Sequence, residues 1–557
     1  MKKVFILLLC AAALLACKKD EKGNGGGGGQ DKPVTVVGTV KGGDTPLEGV
    51  VVSDGISCVK TGADGKYALP ADLEKSMFVF VSTPSGWSAP VEQGQAIFWK
   101  KTKSCTKGSD GKYVADFSLN KIDNPEKFTI FIYADPQPRK NSGSTDKLAY
   151  KALDCCEDMY DDMQELKATI TDQPVYGIGL GDIVHQDLTL IDKHKTGFAR
   201  TGISNYNIIG NHDQGHSSSD YELSDDESWK KFADKLGPVN YSFNLGNMHF
   251  LMLDNMISQG PGSGKYADEE CLTGFSDVVW QFIQNDLATV SSDTPIMVCA
   301  HSPMMVAADG TERGGHYIEQ LRGLLKRFPI AYAWAGHSHN TFNYAPVKNT
   351  DKQYPIETHT LTRVTGALWT NEFISTNGTP RGYVVFKYNN GDISWKFKPI
   401  YYQRGTHQAT APNYSCRDWD YVDATVNGNA TKRAVMKSSG TPNLDDSYQM
   451  QLFAPGVYED QYVYANIFMW DEKWGTPKLE AGGVMNTMYR VNKNNFRYSY
   501  SDRYITDFYH SKASWYSDVD LNNCMSIFRG FTDMTHGTGT VSVKDRFGQT
   551  YSAKITW

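Results

Sequence analysis

Five short islands rich in Asp, Asn and His run in order through the middle of the chain: Asp135-Pro-Gln137, Gly181-Asp182, Gly210-Asn-His-Asp213, His301 and Gly336-His-Ser-His339. Carboxylate, amide and imidazole groups in this combination suit divalent cations. Asp182, with the flexible Gly181 before it, is the candidate bridge between two of them. Asp135, Gln137 and His339 would complete one set of ligands, and Asn211, His301 and His337 the other. His212 is left over beside Asn211, free to hydrogen-bond a reacting oxygen, and Asp213 is placed to orient its ring. Two bridged cations with a spare imidazole are the equipment of metal-assisted hydrolysis.

The elements that position these residues are legible around them. Phe128 to Tyr133, Val175 to Leu180, Ser204 to Ile209, His249 to Leu253, Pro295 to Cys299 and Ile330 to Trp334 are short, largely apolar runs of the kind that form buried strands. Lys147 to Ile170, Ser228 to Leu236, Val278 to Leu287 and Tyr317 to Arg327 carry helical apolar spacing between them, which predicts an α/β layered domain. Each island follows a strand directly, at the carboxyl end where ligands collect in α/β folds. Taken singly, each island also has an ordinary reading as a turn or helix cap; the ordered set does not.

On these residues the chain resembles the calcineurin-like metallophosphoesterase family, whose pattern is Asp-x-His, Gly-Asp, Gly-Asn-His-Asp/Glu, a single His and Gly-His-x-His. Asp135, Asp182, Asn211, His212, Asp213, His301, His337 and His339 match it. Gln137 stands where His is usual, although Asp-x-Gln occurs in the family's manganese-dependent ADP-ribose/CDP-alcohol diphosphatases. The resemblance implies a four-layer sandwich for the core. It also implies two divalent cations (Mn, Mg, Fe or Zn) activating a water for in-line attack on phosphorus, with His212 protonating the leaving alkoxide. An amide oxygen from Gln137 in place of an imidazole favours Mn²⁺ or Mg²⁺ over Zn²⁺.

The chain has 557 residues, enough for two or three domains. A net charge of -7 and the lack of a long Lys/Arg run exclude an extended nucleic-acid ligand. At the N-terminus, Lys2-Lys3 and the apolar run Val4 to Leu15 fit a secretory signal, and Leu14-Leu15-Ala16-Cys17 resembles a bacterial lipobox. Residues 1–17 are therefore assigned as signal with lipidation at Cys17, and 18–33 as a Gly-rich tether. Lys19-Asp20-Glu21 also resembles the signal of surface-exported lipoproteins. The expected location is the envelope of a Gram-negative bacterium, lipid-anchored to the outer membrane, with the periplasmic or the surface face left open. Cys58 and Cys105 fall in one module and are candidates for a disulfide; adjacent Cys155 and Cys156 read as buried small hydrophobes on a helix.

Residues 34–122 show alternating runs cut by Ser-Asp-Gly and Ala-Asp-Gly turns, an all-β sandwich that resembles the transthyretin-like module of secreted bacterial enzymes. Residues 123–400 form the catalytic α/β domain. Residues 401–557 are aromatic and β-rich, with strands at Gln461 to Trp470, Phe496 to Tyr500 and Val541 to Lys544. His185, Asp187, His216 and Asp254-Asn255 flank the islands, Arg381 is a candidate phosphate contact, and Trp515, Tyr516 and His536 could reach the cleft, although solvated loops and core packing account for most such residues. Two readings of function follow: a hydrolase of phosphomonoesters, phosphodiesters or nucleotide diphosphates carried on small molecules or glycans, or an inactive lipoprotein that captures a glycan or phosphorylated ligand. The complete ligand set favours the hydrolase.

Overall fold

The computed structural model describes residues 33–139, 147–215, 223–259, 271–305, 312–345, 356–366, 379–400, 422–426, 429–436, 449–455, 459–491 and 526–557. Cys17, the tether up to Lys32, His216, Trp515, Tyr516 and the run Phe496 to Tyr500 lie outside them. Met1–Pro33 form one unit and Val34–Trp557 the other. The described strands and helices all belong to the second unit.

The N-terminal module is built on Val36–Gly42, which pairs with Lys66–Leu69 on one side and with Phe117–Lys121 on the other. In Lys66–Leu69 the alternation of residue types becomes alternation of burial, with Tyr67 and Leu69 inward among Val36, Val40, Val52 and Val81. Gly55, Gly65 and Gly111 of the three Asp-Gly turns have φ of 83°, 72° and 83°, a region open to glycine at no steric cost. Cys58 and Cys105 are both free thiols, so the candidate disulfide is not formed.

The core holds two sheets face to face. The first runs in spatial order Asp392–Pro399, Gly382–Asn389, Lys127–Tyr133, Val175–Leu180 and Ser204–Ile208. It is extended by Gln95–Ala96 and Val91–Glu92 of the N-terminal module, with Gln95 registered to Asn205. The module is therefore joined to the core by a shared sheet, and its Phe80 and Phe98 enter the same apolar cluster as Ile130 and Ile178. The second sheet runs Tyr241–Leu245, Met248–Leu253, Ile296–Ala300, Ala331–Ala335, Ile356–Thr360 and Phe342–Tyr344.

Parity places the layers. Ile130 and Ile132 point between the sheets. Phe131 and Tyr133 point the other way, against Met159, Tyr160 and Met163 of helix Lys147–Ala168 and Phe198 of helix Ile191–Thr201. Strands buried on both faces in this way are apolar without alternation, which is why they read as continuous runs. Helices Asp277–Leu287 and Ile318–Leu325 cover the second sheet and complete four layers. Cys155 and Cys156 are buried on the long helix as expected. Helix Ile191–Thr201 has no counterpart among the expected elements, because its sequence is mostly polar and its inner face includes a buried His194.

Among its described residues the C-terminal region forms a six-stranded and a four-stranded sheet around Leu452, Val463, Ile467, Leu479, Val541 and Ile555. A buried charge cluster locks it to the core. Glu357, on the strand Ile356–Thr360, accepts two bonds from Arg546 at 2.5 and 2.8 Å and a third from Lys473, while Arg546 also reaches Asp471 at 3.0 Å.

Candidate metal centre

Both sheets deliver their carboxyl ends to one spot. Asp135, Asp182, Asn211, His301 and His337 each follow a core strand, and the turns carrying them bond to one another: Gln137 N–H donates to the Asp182 carbonyl, Gly336 N–H to the His301 carbonyl and His337 N–H to the Asp135 carboxylate at 3.0 Å. Asp135, Asp182 and His339 present ligand atoms within 4.8 Å of one another. The Asn211 Oδ1 lies 3.0 Å from His301 Nε2 and 3.1 Å from His337 Nδ1. His301 Nε2 is in turn 3.3 Å from Asp182 Oδ2. Its Nδ1, 2.7 Å from the Leu180 carbonyl, donates a proton there and so turns Nε2 toward the cluster, the usual way a ligating imidazole is oriented.

The backbone is strained where the candidate ligands sit. Asp135, Gln137, Asp182, His337 and His339 have φ of 52°, 41°, 50°, 64° and 56°, the left-handed region that non-glycine residues avoid. Such strain persists only where surrounding structure enforces it, and it concentrates at functional sites. The glycines beside the ligands have a different role. A Cβ on Gly181 would lie 2.5 Å from His301 Nδ1, one on Gly210 2.2 Å from Asp182 Oδ1, and one on Gly336 2.4 Å from Asp135 Oδ2. Each glycine leaves the room that a ligand side chain occupies.

Charge follows from the packing. Burial pushes the Asp182 carboxyl up, but the imidazoles of His301 and His212 outweigh it and hold the group well below the carboxylate range. Asp135, equally buried and next to the Asp182 charge, is pushed up to about 7. Burial would lower His301, yet the two carboxylates raise it to about 10. Two anionic or shared-proton carboxylates surrounded by imidazole nitrogens and an amide oxygen are a donor set that fits divalent cations.

Two expectations are corrected. Asp213 does not orient His212; its carboxylate accepts the N–H groups of Ile183, Val184 and Gly210 at 2.9, 2.9 and 3.0 Å, because three buried turn donors need an acceptor. His212 keeps its backbone bond to Asp182 Oδ1 at 2.9 Å, its Nδ1 has no hydrogen-bond partner among the described residues, and its ring packs on His185 at 4.2 Å. Gln137 turns its NH₂ to Asp182 Oδ2 at 2.7 Å and its Oε1 to Arg363 Nε at 2.9 Å, so both ends of the amide meet protein partners. Arg381 is no phosphate contact: it is fully buried and pairs with Asp158 at 2.6 Å. Asp187 caps the turn Leu188–Leu190, and His536 is exposed on the C-terminal region.

Two supporting residues escaped the sequence or were seen only in part. Asn255 grips Ser302 through both its backbone groups, at 2.7 and 3.0 Å, and so fixes the turn of His301. Arg363 has no motif around it, and the strand before it, Ile-Glu-Thr-His-Thr over Ile356–Thr360, is too polar in sequence to mark a buried position.

Residues 34–122 match the family described as the N terminal of calcineurin-like phosphoesterase, and residues 358–551 match its C terminal. The two segments bracket the metal centre. This chain belongs to the calcineurin-like metallophosphoesterases. The second segment begins inside the core strand Ile356–Thr360 and includes Gly382–Asn389 and Asp392–Pro399, the strands that close one edge of the first core sheet. Similar solved structures include a dimetal phosphatase from Danio rerio, at 17% identity over 49% of this chain and 96% of that one with a TM-score of 0.33. A purple acid phosphatase from yellow lupin seeds is another, at 13% identity over 49% of this chain and 51% of that one with a TM-score of 0.32. No curated protein matches the chain. Membership implies metal-dependent hydrolysis of a phosphoester.

Proposed function

We infer that this calcineurin-like protein is a dinuclear metallophosphoesterase of the cell envelope, tethered through lipid on Cys17, and that it hydrolyses phosphomonoester, phosphodiester or nucleotide diphosphate linkages on small molecules or glycans. The observation that carries the activity is the convergence of Asp135, Asp182, Asn211, His301, His337 and His339 from separate strand ends on one buried spot, with His212 beside it. Cations held there supply a nucleophile from water at neutral pH and offset charge on the phosphoryl oxygens. The protein residues do the rest. Asp182 stays ionised and is fixed from both sides, by His212 N–H at Oδ1 and by Gln137 NH₂ at Oδ2. The His301 proton is parked on Nδ1 by the Leu180 carbonyl. The ring of His212, half-buried and with no hydrogen-bond partner at Nδ1 among the described residues, is the group in position to give a proton to a leaving oxygen. The lipid tether is supported by Leu14-Leu15-Ala16-Cys17 and the Gly-rich stretch after it.

Release of nitrophenol from p-nitrophenyl phosphate with added Mn²⁺ tests the activity: it should vanish in Asp182→Asn and on chelation, and return with metal to the wild type alone. Turnover unaffected by chelator and by Asp182→Asn would remove the reading. Incorporation of labelled fatty acid into the wild type and not into Cys17→Ser tests the tether.

A further inference from the structure

The geometry points to Gln137 serving as a hydrogen-bond donor to the bridging carboxylate of Asp182 and not as a ligand, so that the first cation is held by Asp135, Asp182 and His339 alone and binds more weakly than the second, with Arg363 setting the difference. The inference rests on the two-cation reading and concerns how unequal the two positions are.

An amide side chain offers one acceptor oxygen with two lone pairs and one NH₂ with two donors, and a guanidinium offers donors only. Arg363 Nε lies 2.9 Å from the Gln137 carboxamide, so the atom facing it is the oxygen; the reverse orientation would set donor against donor. The NH₂ then faces Asp182 Oδ2 at 2.7 Å, where it satisfies the carboxylate and offers a cation nothing. Arg363 does not move with Gln137. Its other arm is bonded to the carbonyls of Pro136 and Gln137 at 3.3 and 3.1 Å, and Thr365 Oγ1 pins the Pro136 carbonyl at 2.9 Å. Bringing Oε1 to a cation would strip the acceptor from a guanidinium that is 1% exposed. The guanidinium charge also bears on Asp135 and His339, both of which serve the first position. The second position draws on Asp182, Asn211, His301 and His337, four side chains against three.

Mn²⁺ titration of the purified protein, followed by calorimetry and by the electron paramagnetic resonance of free Mn²⁺, decides the point. The wild type should bind two Mn²⁺ per chain with dissociation constants at least tenfold apart, and Asp135→Asn should abolish the weaker event. Gln137→Ala should keep both events and change the weaker constant by less than threefold, while Arg363→Met should tighten it by tenfold or more. Gln137→Asn, which tolerates the left-handed backbone, is read by the same criterion, and melting of the metal-free variants reports their folding. Fewer than two Mn²⁺ on the wild type would overturn the two-cation reading itself. Two on the wild type, with Gln137→Ala or Gln137→Asn weakening the weaker event tenfold, would make Gln137 a ligand, and Arg363→Met loosening that event would remove Arg363 as the source of the difference; either result overturns the inference alone.

Discussion

Gly210→Ala is the sharpest single perturbation of this centre, because its effect is steric and nothing else. Gly210 has φ −112° and ψ 176°, extended backbone that alanine adopts without strain. The added Cβ would stand 2.2 Å from Asp182 Oδ1 and 2.3 Å from the Asp182 backbone nitrogen, where ordinary contact begins at 3.4 Å. Relief therefore takes about 1 Å of movement. Asp182 cannot retreat, since Oδ2 is held by Gln137 at 2.7 Å and the space beside Gly181 is filled by the His301 ring. The turn carrying Asn211 has to shift instead, away from His301 and His337. Overpacking of this kind costs about 1–3 kcal/mol of stability. Misplacement by about 1 Å at a reacting centre costs on the order of 10²-fold in rate, or roughly 2.7 kcal/mol of activation free energy. The assay pairs kcat/KM for p-nitrophenyl phosphate under Mn²⁺ with bound-metal analysis and thermal melting. Gly323→Ala is the control: it lies within helix Ile318–Leu325 with open space around it, so it should leave kcat/KM unchanged and add up to about 1 kcal/mol of stability. A Gly210→Ala protein with full metal content and kcat/KM within threefold of the wild type would refute the packing argument.

Other residues make separable predictions. His212→Ala should retain both metals yet lose about 10²–10⁴-fold in kcat on alkyl phosphates, and less on p-nitrophenyl phosphate, whose leaving group needs no proton; equal losses on the two substrates would reject His212 as the acid. Arg381→Met should lower stability by about 3–5 kcal/mol by orphaning buried Asp158, with KM unchanged, and a raised KM at full stability would restore the phosphate-contact reading. Burial pushes Glu357 up, but His359 and Arg546 outweigh it and hold the carboxyl below its ordinary value of 4.5. The stability it contributes is therefore full above about pH 4.5 and is lost as the pH falls toward the depressed value. Arg546→Met should cost about 3 kcal/mol at neutral pH and flatten that acid dependence, which chemical denaturation at pH 7 and pH 3.5 would show.

Much of the centre was readable because its information is local. A strand buried on both faces needs a run of apolar residues, a turn after it needs glycine, and a ligand needs one of a few residue types, so Val175 to Leu180 followed by Gly181-Asp182 shows strand, turn and ligand within eight residues. The pairing of ligands was less legible. Asp213 follows His212 in the chain, and adjacency suggested a dyad, but three buried N–H groups from two turns had the stronger claim on its carboxylate. Helix Ile191–Thr201 went unread for a related reason: its polar residues face solvent, while His194 turns inward to bond Tyr160 and lie 3.2 Å from the Tyr133 hydroxyl.

From the sequence alone came the candidate ligands, their attachment to strand ends and the order of the three regions, because each follows from side-chain chemistry and a period of two or 3.6 residues. Tertiary structure alone decided which group each polar atom meets. Gln137 and Arg363 are 226 positions apart, Asp158 and Arg381 223, and Glu357 and Arg546 189. Their partnerships depend on the register of sheets and the packing of layers, and no local pattern encodes that. The same holds for Val91–Ala96, a hairpin that reads as part of the N-terminal module and lies at the edge of the catalytic sheet, because only the folded chain places Gln95 beside Asn205.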